Sequence, residues 1–296
     1  MRSHFVVVLG ASAACWAPGC SLGLSGLEPS SADASASDAP LASDTSRAST
    51  DDGDGPFSDE PSGGEEADVV GSNGCPVTTA GPAMAPVGDG GFCIDTTEVT
   101  NAQYVAFLAA GSSLVTLPAA CSATAGYTPS NGWPYATGDD NLPVVWVDWC
   151  DAYAYCQWAG KRLCGRIGGG SNPPSAWIDA TGSQWFSACS TGGAQAYPYG
   201  NTYEQNVCYG AQPTTAPLVA VKSNPGCVGG YPGIFDMSGS VEEWEDSCDA
   251  EMGAGDECQV RGGNFGSDPM SLACAENNTG HRGLGEDDRG FRCCAP

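Results

Sequence analysis

Positive charge is what this 296-residue sequence has least of: ten Lys and Arg stand against 35 Asp and Glu, for a formal net charge of −25. Such a surface repels phosphate backbones and anionic headgroups, which excludes nucleic acid as a partner. Histidine is nearly missing, with only His4 and His281, and no Cys-x-x-Cys pair occurs. A structural zinc site is therefore excluded. A serine–histidine triad would have to use His281, in the loop "NNTGHRGLGEDDRG", where no nucleophile elbow is visible. Long apolar runs are also absent; the one near the start, residues 5–14, is too short to span a bilayer.

Cysteine, by contrast, is abundant. Of sixteen, fourteen lie between Cys75 and Cys294, an even number that points to an oxidising compartment and a disulfide framework. The opening residues 1–20, "MRSHFVVVLGASAACWAPGC", combine a basic start, a short apolar run and small residues, and read as a secretory signal. Cys20, after "APG", is a candidate lipid-attachment cysteine of the bacterial type, although Ala17 and Pro18 stand where that pattern has Leu and a small residue. Cys15 is its rival, and simple cleavage with release the alternative. Either route expects an exported protein, in the periplasm, anchored at the outer membrane, or at the cell surface or beyond it. Any membrane association would run through that lipid alone.

Residues 21–74 are rich in Ser, Ala, Asp, Gly and Pro; Phe57 is the one aromatic and Arg47 the one base from Ser25 onward. Such a segment buries too little apolar area to fold and reads as an acidic tether. Its "DDGDG" lacks the remaining ligands and flanking helices of a calcium loop. From 75 to 296, aromatics, glycines and cysteines are evenly spread, as expected of one domain. Helices are expected in "TNAQYVAFLAAG", where Thr100 and Gln103 make a capping box, in "DWCDAYAYCQWAG", capped by Asp148, and over 183–189. Short strands are expected at "FCIDTTEV", "PVVWV", "ECQVRGG" and "RGFRCC". The fold class is α+β with sparse regular structure.

Six segments in order carry a resemblance: "FCIDTTEVTNAQYVAFL", "LPVVWVDWCDAYAYCQWAGKRL", "YPYGNTYEQNVC", "GIFDMSGSVEEW", "RGGNF" and "RGFRCC". Together they resemble the sulfatase-modifying-factor family, whose catalytic members are formylglycine-generating enzymes and whose fold is a variant of the C-type-lectin-like architecture. The resemblance implies two disulfides, Cys156 with Cys293 and Cys189 with Cys274. For the other cysteines only local pairings suggest themselves, such as Cys75 with Cys93, Cys208 with Cys227 and Cys248 with Cys258.

Catalytic members bind Cu(I) through two cysteines shortly after "RGG". Counted from Arg261, those positions hold Ser267 and Leu272, and neither a hydroxyl nor an isobutyl group supplies a soft anionic ligand. The resemblance thus argues against copper, unless Cys274 served as a lone reactive thiol. The three-histidine iron site of a sister branch cannot be assembled from His281 alone. Calcium is the cofactor the resemblance does imply, through Asn206 at one site and Glu243 with the carbonyls of Gly239 and Val241 at another.

Most tryptophans, including Trp146, Trp149, Trp158, Trp185 and Trp244, read as core. Trp133 and Tyr135 in one loop, and Trp177 in an insert, are candidate recognition residues for a protein, peptide or glycan ligand that the sequence does not identify. The expected function is a non-catalytic binding or interaction module. The alternatives are a copper- and oxygen-dependent oxidase and a calcium-stabilised surface protein.

Overall fold

The computed structural model describes residues 71–296 apart from 72, 79, 89–90, 112–114 and 214. The expected signal at 1–20, Cys20 and the tether up to residue 70 lie outside the described residues. Within the stretch assigned to the tether, Gly71 already donates its N–H to the Cys75 carbonyl at 2.7 Å, and Asn73 Nδ2 donates to the Met84 carbonyl at 2.9 Å.

Two four-stranded sheets organise the domain. The first, in the order β1-β2-β8-β3, joins β1 (Met84–Val87), β2 (Phe92–Asp95), β8 (Cys293–Ala295) and β3 (Arg162–Leu163), all antiparallel. The second, in the order β6-β5-β4-β7, joins β6 (Asn278–His281), β5 (Glu257–Arg261), β4 (Glu242–Cys248) and β7 (Arg289–Phe291), with β4 and β7 parallel. Three helices pack on them: α1 (Asn101–Ala110), α2 (Trp149–Trp158) and α3 (Gln184–Cys189). Thr100 and Gln103 form a reciprocal capping box on α1, and Asp148 with Asp151 forms a second on α2. In both, a side chain satisfies a backbone N–H that the helix leaves without a partner.

Successive residues in a strand face opposite sides, and the last strand uses this twice. Cys293 enters the core formed by α1 and α2 and bonds Cys156, whereas Cys294 enters the second core, around α3, and bonds Cys164. Both bonds close loops of more than a hundred residues, with separations of 137 and 130. Chain-entropy arguments give such closures on the order of 4 kcal/mol each. The other five bonds are Cys75–Cys93, Cys121–Cys150, Cys189–Cys274, Cys208–Cys227 and Cys248–Cys258. Every cysteine from Cys75 to Cys294 is thereby in a disulfide, and among the described residues no helix is long and apolar enough to cross a membrane.

One expected strand is not formed. In "PVVWV", Val144 donates to the Val99 carbonyl, while Trp146 lies at φ +62° and donates to the Glu286 carbonyl. Its hydrogen bonds go to separate loops, so no ladder can form.

Candidate functional site

Four of the segments that carry the resemblance, those with Asp95 and Glu98, Glu243, Arg261 and Arg292, meet around two buried arginines. Residues two apart on a strand share a face, and β4 uses this to aim Glu243 and Glu245 at that centre. Arg292 grips Glu243 with two hydrogen bonds, Nε at 2.7 Å and Nη2 at 2.6 Å, and donates to the carbonyls of Asp95 and Phe235. Trp185 adds an indole N–H to Glu243 at 2.8 Å. Arg261 lies over the Trp185 ring, 5.0 Å from its centroid, and donates to the carbonyls of Trp177, Cys274 and Glu276. Its Nε is 3.5 Å from Glu245, whose other oxygen accepts from Ser183 and Asn172.

This centre holds more carboxylates than cations. Glu98 is fully buried 3.9 Å from Arg292, with no hydrogen-bond partner for either oxygen. Burial, and then the neighbouring Asp236 charge, push its carboxyl well above the usual range. Burial also pushes Asp236 up to about 6. Asp95, paired to Lys161 at 2.5 Å, is raised to about 6 by the same desolvation, against the pull of that lysine.

Glu243, assigned to calcium, is held by other partners in this structure. Both of its oxygens are occupied by Arg292 and Trp185, and a carboxylate neutralised by a bidentate guanidinium does not fit a divalent cation as ligand. Gly239 has φ +78° and donates to the Gly262 carbonyl; a Cβ there would come within 2.3 Å of the Tyr209 carbonyl oxygen. Its role is close backbone approach. Val241 is buried, and Asn206 is exposed in another loop, with its carbonyl accepting from Asn224.

Beyond Arg261 the chain turns through Gly262 and Gly263, both at positive φ. The turn leads into an open cavity of about 450 Å³ lined by Asn264, Phe265, Gly266, Ser267, Asp287 and Asp288. Ser267 Oγ accepts the Asn264 N–H at 2.9 Å and lies 3.3 Å from Asn264 Oδ1; Asn264 Nδ2 in turn donates to Asp288 at 2.7 Å. Burial raises the Asp288 carboxyl to about 6, with Glu242 adding to the shift and Arg289 opposing it. An amide oxygen is no base, so this chain can hold a polar or cationic group but cannot activate the Ser267 hydroxyl. Leu272 does not line the cavity. It is 1% exposed, and its methyl groups fill the space over Gly210. Cys274 is equally buried, in its bond to Cys189. His281 is exposed on β6, 3.1 Å from Glu257.

The recognition candidates separate. Trp133 and Tyr135, with ring centroids 5.2 Å apart, line a groove of about 300 Å³ together with Trp146. Trp177 is absent from it; its indole donates to the Ala275 carbonyl and its own carbonyl accepts from Arg261. Asn264, Asp288 and Trp146 were not legible as site residues. The acidic run "EDDRG" was a signal for Asp288; Trp146 had none, because its neighbours read as a strand.

Comparison with known proteins finds relatives in sequence. The formylglycine-generating enzyme of Streptomyces coelicolor is 31% identical over 191 residues, covering 52% of this chain and 56% of the relative. A mouse protein named inactive C-alpha-formylglycine-generating enzyme 2 is 28% identical over 175 residues, covering 52% and 49%. The chain thus spans about half the length of such relatives. Among solved structures, CarF aligns with a TM-score of 0.46 at 22% identity, over 69% of this chain and 86% of its own. PvdO from Pseudomonas aeruginosa aligns with a TM-score of 0.47 at 19%, over 74% and 93%. The model of the sulfatase-modifying factor enzyme 1-like domain matches residues 63–295, and the chain belongs to that family.

Proposed function

We propose that this is a ligand-binding module without thiol-oxidase activity, carried outside the cytoplasm behind an acidic segment and either held by a lipid on Cys20 or released. The observation that supports it most is the pairing of all fourteen cysteines from Cys75 to Cys294, with Ser267 alone of the two expected thiol positions facing a cavity. A hydroxyl is a hard, neutral donor and does not replace a thiolate on Cu(I). Family membership does not decide the chemistry, since relatives carry both the enzyme's name and the inactive protein's name. Seven disulfides mark a non-cytosolic protein.

The test is direct. The purified protein is incubated with a cysteine-containing peptide, copper and oxygen, and the peptide is followed by mass spectrometry. No conversion to formylglycine is expected, and turnover would overturn the proposal.

A further inference from the structure

Trp146 is the residue whose placement local sequence does not explain. Strand alternation from the fully buried Val144 would put the Trp146 ring in the core. Instead its backbone takes φ +62°, costly for so large a side chain, and the ring emerges half-exposed. Three neighbours hold it there. Its N–H donates to the Glu286 carbonyl at 2.9 Å, and its own carbonyl accepts from the Ser130 N–H at 2.8 Å and the Ser130 hydroxyl at 3.2 Å. Gly285 lies so close that a Cβ would stand 2.5 Å from the Trp146 carbonyl oxygen, so only glycine fits.

The rings of the groove this creates are each held by a neighbour. Trp133 packs edge-on against the buried Tyr104, centroids 5.9 Å apart, and Tyr135 is anchored by its hydroxyl to Asp140 at 2.8 Å. Asn101, Asn131 and Asp139 are the other polar side chains of the lining. Its volume of about 300 Å³ is at the small end of ligand clefts. Indole and phenol faces suit the C–H face of a pyranose ring, while the amides and the carboxylate suit its hydroxyl groups. A proline-rich peptide also docks on aromatic ridges, but its carbonyls are acceptors only and would leave the Asp139 carboxylate without a donor, whereas sugar hydroxyls both donate and accept. A chain of net charge −25 disfavours sulfated, sialylated or uronic glycans.

We propose that the groove formed by Trp133, Tyr135 and Trp146 binds an uncharged hexose-based glycan. The assignment rests on the reading of the domain as a ligand-binding module and names its ligand class.

Titration of the purified protein with chitotetraose, cellotetraose, maltotetraose and mannotetraose, followed by tryptophan fluorescence and calorimetry, tests it. At least one is expected to bind. Trp146→Gly, which suits the positive φ, and Tyr135→Ala are each expected to weaken that binding at least about tenfold. Trp177→Ala, outside the groove, is expected to leave it unchanged. Far-ultraviolet circular dichroism checks that each variant is folded. Failure of all four sugars to bind, binding that survives both groove variants, or binding of decaproline in their place overturns the glycan assignment. None of these outcomes touches the thiol-oxidase question, which the formylglycine assay reads separately.

Discussion

Arg261 and Ser267 are six residues apart, yet they belong to two differently built regions. The arginine centre is buried: Arg261 and Arg292 are 1% and 0% exposed, Arg292 hydrogen-bonds Glu243, and Arg261 pairs with Glu245 and donates to a ring of backbone carbonyls. The Ser267 loop opens onto a cavity, held by a short chain of hydrogen bonds through Asn264 to Asp288. The arginines lie within segments that carry the family resemblance, whereas Ser267 and Asp288 lie just outside them. The first builds the frame, and the second is where the chemistry would reside. A resemblance resting on the first therefore establishes a fold and leaves the reaction open.

The sharpest way to break this contrast is Arg292→Met. Glu98, Asp236 and Glu243 would lose their shared cation, and removing one partner of a buried ion pair costs about 3–5 kcal/mol. For a domain of this size that corresponds to a melting temperature lower by about 10 °C, measurable by calorimetry. A variant that melts with the parent protein would remove the arginine centre from the frame. Next in size is the comparison of Leu272→Cys with Ser267→Cys. The first hollows out the packing over Gly210 and should cost about 2 kcal/mol. Its thiol, buried like the leucine it replaces, should resist a water-soluble thiol reagent. The second should fold like the parent and be modified at once. Equal reactivity of the two would mean that both positions face the cavity after all.

Much of the frame was legible because it is written locally. Thr100 with Gln103 and Asp148 with Asp151 are helix starts readable from four residues, and the pairing of Cys75 with Cys93 follows from proximity along the chain. The link of Cys164 to Cys294 was not legible, since it depends on which face of β8 each of two adjacent cysteines takes. Glu243 shows the same limit from the other side: its sequence context suggested a cation ligand, but its partner Arg292 is 49 residues away. Trp146 failed for a backbone reason. Its neighbours obey the strand pattern, and only contacts from Ser130, Gly285 and Glu286, brought in by the tertiary fold, impose the left-handed turn.

The smallest expected effect concerns pH, and it sharpens the contrast because its sign belongs to the frame. Asp95, Asp236 and Asp246 are each pushed to about 6 by burial, and Glu98 and Glu245 are also raised. In the unfolded chain such carboxyls lose their protons near pH 4. Below that point both states are protonated and stability is fully present. Between about pH 4 and 6 the unfolded state releases protons first, so stability falls as pH rises, and the loss is complete once the folded groups have ionised. The exposed Asp179 and Asp268 are lowered instead, but solvent screening leaves them little weight. The melting temperature should therefore drop by about 5 °C between pH 5 and pH 7.5 at constant ionic strength. A rise over that interval would mean that the buried carboxyls are ionised and matched by cations in the folded state, and that the arginine centre is not short of positive charge.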